Sequence, residues 1–265
     1  ALLAINKVAK YTGQQEVFPR SATVLGGAGW LCENHLHTLL APMSEFESPP
    51  EAAEPAPSAE ATPVPRKRPK PGERRAQILQ TLAAMLEQPG AERITTAALA
   101  ARLSVSEAAL YRHFASKAQM YEALIDFIEQ SVLTLVQQVV GRELPTPEQG
   151  ADVGTRQAAR VVALVLQFGE RNPGLARLMA GDALVLEHER LQERMNRFFD
   201  GIELALRQCL RPAADAAGSA TPTVDAQVAA SVLVAFALGR LQRYARTGFR
   251  RLPTERLGAR PAVLC

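Results

Sequence analysis

The sequence predicts an all-α protein: a three-helix head with a helix-turn-helix, then a larger helical domain, behind a Pro/Ala/Glu-rich N-terminal extension. Three observations predict it. Of the 265 residues, 47% are hydrophobic but only 5% aromatic, and Ala and Leu are abundant, a balance that favours helices over sheets. From Gly72 onward, apolar residues recur at helical spacing almost without a break. No run sustains strand alternation, and no internal repeat is present.

Residues 1–42 are unlike the rest and contain no Met. The natural start is expected at Met43, with 1–42 as an extra upstream segment. Peptides from before Met43 in the natural protein would sink that expectation. Residues 43–71 read as a disordered acidic linker, because nine of the 18 prolines fall between Pro42 and Pro71 and few apolar groups offset the ordering entropy. No Lys or Arg occurs between Arg20 and Arg66; then Arg66, Lys67, Arg68, Lys70, Arg74 and Arg75 arrive together. Such a run serves as a DNA-phosphate arm or is simply a solvated charge run. The net charge of +3 does not decide between them.

The head is expected over 72–132. Ile78, Leu79, Leu82, Met85 and Leu86 keep one apolar stripe, and Pro89-Gly90 ends it. A long helix is predicted over 117–140, stopping at Gly141. The second domain, 133–265, follows. A Pro-containing loop at 144–150 leads to a helix over 153–170, with Val161, Val162, Val165 and Phe168 among its apolar positions. Asn172-Pro-Gly174 breaks it, and a short turn of helix follows near 175–180. A long helix is then predicted over 182–210, with Leu184, Leu191, Met195, Phe198, Ile202 and Leu206. After a loop at 212–223, the last helix spans 224–247, with Val228, Val232, Phe236 and Leu241.

Several function classes have little to build on. Cys32, Cys209 and Cys265 are scattered, without a CxxC, so neither a disulfide framework nor a zinc site is expected. His35-Leu-His37 has no third ligand at metal spacing, and His188 sits on a charged helical face. No P-loop or GxSxG appears. No enzyme activity, metal or cofactor is expected. No apolar stretch reads as long enough for a membrane span, so no membrane partner is expected, and 22–31 with its glycines makes a poor signal peptide.

The informative stretch is 93–117. Thr95 or Thr96 can N-cap a short helix containing Leu99 and Leu103. Ser104-Val105 makes a tight turn, and Ser106 caps a second short helix. Val105 before that cap and Leu110 within the helix form a hydrophobic staple. Leu110 and Phe114 share the inward face. Glu107, Ala108, Tyr111, Arg112 and His113 are left on the other faces. The small residues at the helix start suit a deep seat in a major groove, where Ser106, Tyr111 and His113 can donate to phosphates or base edges. Ser116 and Gln119 form a capping-box pattern, and Lys117 falls in the first turn of the long helix, where a phosphate is also favoured. These are the parts of a helix-turn-helix over 95–114. The alternative is an ordinary helical hairpin, against which the exposed Tyr-Arg-His cluster argues.

Ile94-Thr-Thr96, Leu110-Tyr-Arg-His-Phe114 and Ser116-Lys117 resemble the TetR-type DNA-binding domain. Val105–Phe114 and Phe168-Gly-Glu-Arg-Asn-Pro-Gly-Leu175 resemble, more narrowly, the SlmA-type nucleoid occlusion factors of that family. The similarity runs from about Gly72 to the C-terminal region. It implies a cytoplasmic, nucleoid-associated homodimer that binds double-stranded chromosomal DNA at dispersed sites, more than one dimer per site being open. It also implies binding to the division protein FtsZ and disruption of its polymers, which keeps the division ring off the nucleoid. By motif position, the DNA contacts become Thr95, Thr96, Ser106, Tyr111, His113 and Lys117. The FtsZ surface becomes Phe127, Gly169, Arg171 and Asn172. A ligand-responsive TetR-type transcriptional repressor is the alternative, separated by a small-molecule cavity in place of an external partner surface.

Two departures stand out. Ser104 occupies a turn position where Gly is common, and a positive φ there would cost on the order of 1 kcal/mol. The proline-rich extension has no counterpart in the resemblance. Two-fold reading of a duplex also predicts a dimer, expected as a four-helix bundle from the last two long helices, where Ala229, Ala230, Ala235, Ala237 and Gly239 would allow close approach.

Overall fold

A computed structural model describes residues 72–88, 93–141, 150–255 and 257. The expected start at Met43, the linker, the basic residues Arg66, Lys67, Arg68 and Lys70, and Cys32, His35, His37 and Cys265 lie outside the described residues. The elements in order are α1 (Glu73–Leu86), α2 (Thr96–Arg102), α3 (Glu107–Tyr111), α4 (Lys117–Gly141), α5 (Gly150–Arg171), α6 (Pro173–Met179), a 3-10 turn (Asp182–Leu184), α7 (Glu189–Ala216) and α8 (Pro222–Arg246). No strand occurs among the described residues.

The head packs α1, α2 and α3 on the first turns of α4. Ile78, Leu82, Leu86, Leu99, Leu110, Phe114 and Met120 close its core. The second domain is built around α5. From Ala158 to Leu166, except the half-buried Arg160, that helix is buried on every side, as expected for a helix enclosed by neighbours. It packs against α4, α7 and α8.

A charged seam ties α4 to α7. Lys117 pairs with Glu187, Arg190 meets Glu122 at 2.7 Å, and Arg194 binds both Asp126 and Glu129. The numbers rise together along both helices, so the two run in the same direction at this contact.

Two predicted boundaries need correction. The helix expected over 182–210 is interrupted after the 3-10 turn and restarts at Glu189. His188 is its N-cap, with Nδ1 accepting from the Arg190 N–H at 3.3 Å, rather than a member of a charged helical face. At the far end, Pro212 does not open a loop; α7 continues through it to Ala216. Proline removes its own N–H bond and crowds the carbonyl of Gln208, and Gln208, which loses that partner, is exposed to water.

A third expectation is overturned by composition. By length and apolar content, α4 and α8 are both sufficient to cross a membrane. Only 28% of the apolar stretch of α4 and 33% of that of α8 is buried within the protomer, and α4 spends Glu122, Asp126 and Glu129 on the seam with α7.

Candidate nucleic-acid interface

The turn between α2 and α3 is closed by its own backbone. The Ser104 N–H donates to the Ala101 carbonyl at 3.1 Å and the Val105 N–H to the Ala100 carbonyl at 3.0 Å. This is the Schellman pattern, and it needs a left-handed residue after the helix cap. Ser104 takes that role with φ 53°. Serine thus does a glycine's work here, at the cost its Cβ imposes.

Both short helices begin on hydroxyl caps. Thr95 Oγ1 accepts from the Ala98 N–H at 3.1 Å, and Ser106 Oγ accepts from the Ala109 N–H at 3.3 Å. Each cap uses an oxygen lone pair. Each hydroxyl proton is therefore left to donate outward, as contact with a phosphate requires. Val105, packed against the core, and the buried Leu110 complete the staple.

A polar chain fixes the angle between α2 and α3. Thr96 Oγ1 donates to Glu107 Oε2 at 2.7 Å, and the Tyr111 hydroxyl reaches Thr96 Oγ1 at 3.5 Å. Tyr111 is 46% exposed, a large ring held out from the short helix toward solvent. His113 is exposed beside it, as is Arg112. Thr95, Thr96, Ser106, Tyr111 and His113 therefore lie together on or around one helix-turn-helix.

Lys117 stands apart. Its Nζ is engaged by Glu187 and lies 5.6 Å from the centre of the Tyr121 ring. A phosphate would have to compete with that carboxylate. The capping box behind it forms: Ser116 Oγ accepts from the Gln119 N–H at 3.2 Å, and Gln119 Oε1 accepts from the Ala115 N–H at 2.8 Å.

Of the predicted arm, Arg74 and Arg75 lie within α1. Arg74 donates to Gln77 Oε1 at 2.8 Å. Arg75 sits 4.1 Å over the Phe114 ring and donates to the His113 carbonyl at 2.9 Å. It is a tie within the head. Glu107 and Arg112, left on the outer faces by the sequence but not counted among the expected DNA contacts, are both exposed on or beside α3. Their signal was the same exposed cluster that marked Tyr111, and Glu107 can accept from a cytosine amino group.

The expected partner surface is less uniform. Phe127 is half-buried, its ring 6.4 Å from that of Phe168. Arg171 and Asn172 are half-buried at the end of α5. The Asn172 amide donates to the Phe168 carbonyl at 2.8 Å, so it also closes that helix. Gly169 is buried, and a Cβ there would lie 2.4 Å from Leu241 Cδ2. Its visible role is to let α5 and α8 approach.

The α8 stripe of Val224, Val228, Val232 and Phe236 is exposed, each between 43% and 57%, with Leu204 of α7 also exposed. Ala229, Ala230 and Ala237 face the protomer's own core, while Ala235 and Gly239 lie outward along the stripe.

Two family models match the chain. Residues 78–124 match the model for bacterial regulatory proteins of the tetR family. Residues 155–264 match the SlmA-like model described as a tetracyclin repressor-like C-terminal domain. The nucleoid occlusion factor SlmA of Idiomarina loihiensis is 45% identical over 191 residues, covering 72% of this chain and 93% of the relative. That of Photobacterium profundum is 48% identical, covering 69% of this chain and 89% of the relative. That of Klebsiella pneumoniae (strain 342) is 46% identical, covering 71% and 90%. With a TetR-type reading head in front and the matching helical domain behind it, this chain belongs to the SlmA family of TetR-type nucleoid occlusion factors.

Proposed function

We infer that this protein is a DNA-associated inhibitor of cell division that acts by nucleoid occlusion. The reading is carried by relatives named for that activity and matched over 93%, 89% and 90% of their lengths. The head reads dispersed chromosomal sites, with Tyr111, His113 and the hydroxyls of Thr95 and Ser106 directed at the duplex. Thr96 positions Tyr111, and Lys117 joins the phosphates at the edge of the head. Arg66, Lys67, Arg68 and Lys70 supply phosphate contacts that carry no sequence information.

Two copies pair through α7 and α8. The outward stripe from Val224 to Phe236 supports this, since a protomer in water gains by covering it and a two-fold bundle covers it with itself. Dimerisation then sets two heads against one duplex. The protein resides on the nucleoid, in the cytoplasm.

On DNA, the dimer engages FtsZ through Phe127, Arg171 and Asn172, over the α5–α8 approach that Gly169 permits, and disrupts FtsZ polymers. The test is sedimentation of FtsZ polymers with this protein, with and without a duplex it binds. A fall in pelleted FtsZ that depends on the duplex supports the reading. Unchanged polymers in both arms would leave a TetR-type transcriptional repressor as the better account.

A further inference from the structure

We propose that Glu187 competes with the DNA backbone for Lys117, and that the carboxylate set free by a phosphate is taken up by the Tyr121 hydroxyl. The proposal rests on the DNA-binding reading above. Lys117 opens α4 directly behind the helix-turn-helix, and its partner Glu187 lies in the turn between Leu184 and α7. The pair is asymmetric in burial. The Glu187 side chain is 9% exposed and that of Lys117 is 29% exposed. Lysine can swing outward on its flexible stem, whereas the carboxylate stays enclosed. Removing the cation leaves a buried charge without compensation, which is strongly unfavourable unless a donor replaces it.

Tyr121 is placed to be that donor. It stands one helical turn after Lys117, fully buried, with its ring beneath the Lys117 ammonium. Its hydroxyl has no hydrogen-bond partner among the described residues. An orphaned buried hydroxyl calls for a physical account, because such groups are almost always satisfied. Burial first, and the negative charge of Glu187 second, push the phenol's pKa upward, so it keeps its proton and remains a donor. One carboxylate thus serves the ammonium in the free protein and, once DNA has drawn the ammonium away, turns to the phenol whose hydroxyl is otherwise unpaired. That is a two-state element which DNA occupancy biases.

A double-mutant cycle tests this. The four proteins are wild type, Glu187→Gln, Tyr121→Phe and the double variant. Each is titrated against a fluorescein-labelled duplex selected from genomic DNA by the wild-type protein. Thermal melts of all four check folding, and both substitutions are nearly isosteric. Glu187→Gln is expected to tighten binding about fivefold, and Tyr121→Phe to weaken it by about the same factor. In the Glu187→Gln background, Tyr121→Phe is expected to change nothing, because no charge needs the phenol. Equal effects of Tyr121→Phe in both backgrounds would overturn the exchange while leaving DNA binding intact. A folded wild type that retains no duplex would overturn the DNA-binding reading and the exchange together.

Discussion

Gly174, at the start of α6, lies so close to the carbonyl of Ala83 in α1 that an added Cβ would stand 2.1 Å from that oxygen. The head and the second domain therefore meet backbone to backbone. Gly174→Ala is expected to push α6 off α1 and cost about 2 kcal/mol, the range for overpacking a tight core. A thermal melt measures it, and a variant as stable as wild type would refute the close approach.

The left-handed Ser104 gives a prediction of opposite sign. Ser104→Gly is expected to raise stability by about 1 kcal/mol, because glycine meets no Cβ penalty at φ 53°. Chemical denaturation gives the difference directly. A destabilised Gly variant would mean that the serine side chain contributes something its backbone angle does not reveal.

Tyr111→Ala is expected to weaken duplex binding by about tenfold, the effect of deleting one good base-edge or phosphate interaction, while leaving the melting curve nearly unchanged. The ring is exposed, so the fold gives up little packing with it. Removing Arg66, Lys67 and Arg68 is a different experiment. It is expected to flatten the dependence of log affinity on log salt by about 0.9 for each phosphate that is no longer neutralised. An unchanged slope would assign those residues to solvent.

The stripe on α8 can be tested without DNA. Phe236→Glu, at the C-terminal end of the outward stripe, is expected to convert a dimer to a monomer in sedimentation at micromolar concentration, with helicity retained. A dimer that survives it would place the interface elsewhere.

The reading head was legible because its determinants are local. Thr95, Ser106 and the Val105–Leu110 staple act within a few residues of where they stand, and Ser104 stood out as a departure at a turn position where Gly is common. Distant pairings left no such mark. Gly169 falls within a predicted helix and joins the expected partner surface by resemblance, and nothing local tells that Leu241, on another helix, is brought against it. Val228, Val232 and Phe236 have the spacing of core positions, and periodicity alone cannot tell a buried stripe from an outward one. The start of α7 was misplaced because apolar residues at Ala183 to Leu186 continue the helical pattern through a turn. His188 is also an uncommon N-cap. Pro212 read as a stop because the cost of proline depends on whether the orphaned carbonyl can reach water, which only the fold decides.

Arg177 of α6 donates to the carbonyls of Leu86 at 2.7 Å and Gln88 at 2.6 Å, and its guanidinium lies 4.8 Å from the Phe249 ring. The first helix of the head is thus finished by a residue 91 positions later in the chain. On a ribosome, α1, α2 and α3 emerge well before that residue exists. At the ordinary pace of synthesis, roughly 5 to 20 s pass before the last turn of α1 finds its closing partner. The nascent head waits in an incomplete form, and the step that completes it also commits it to the domain that follows.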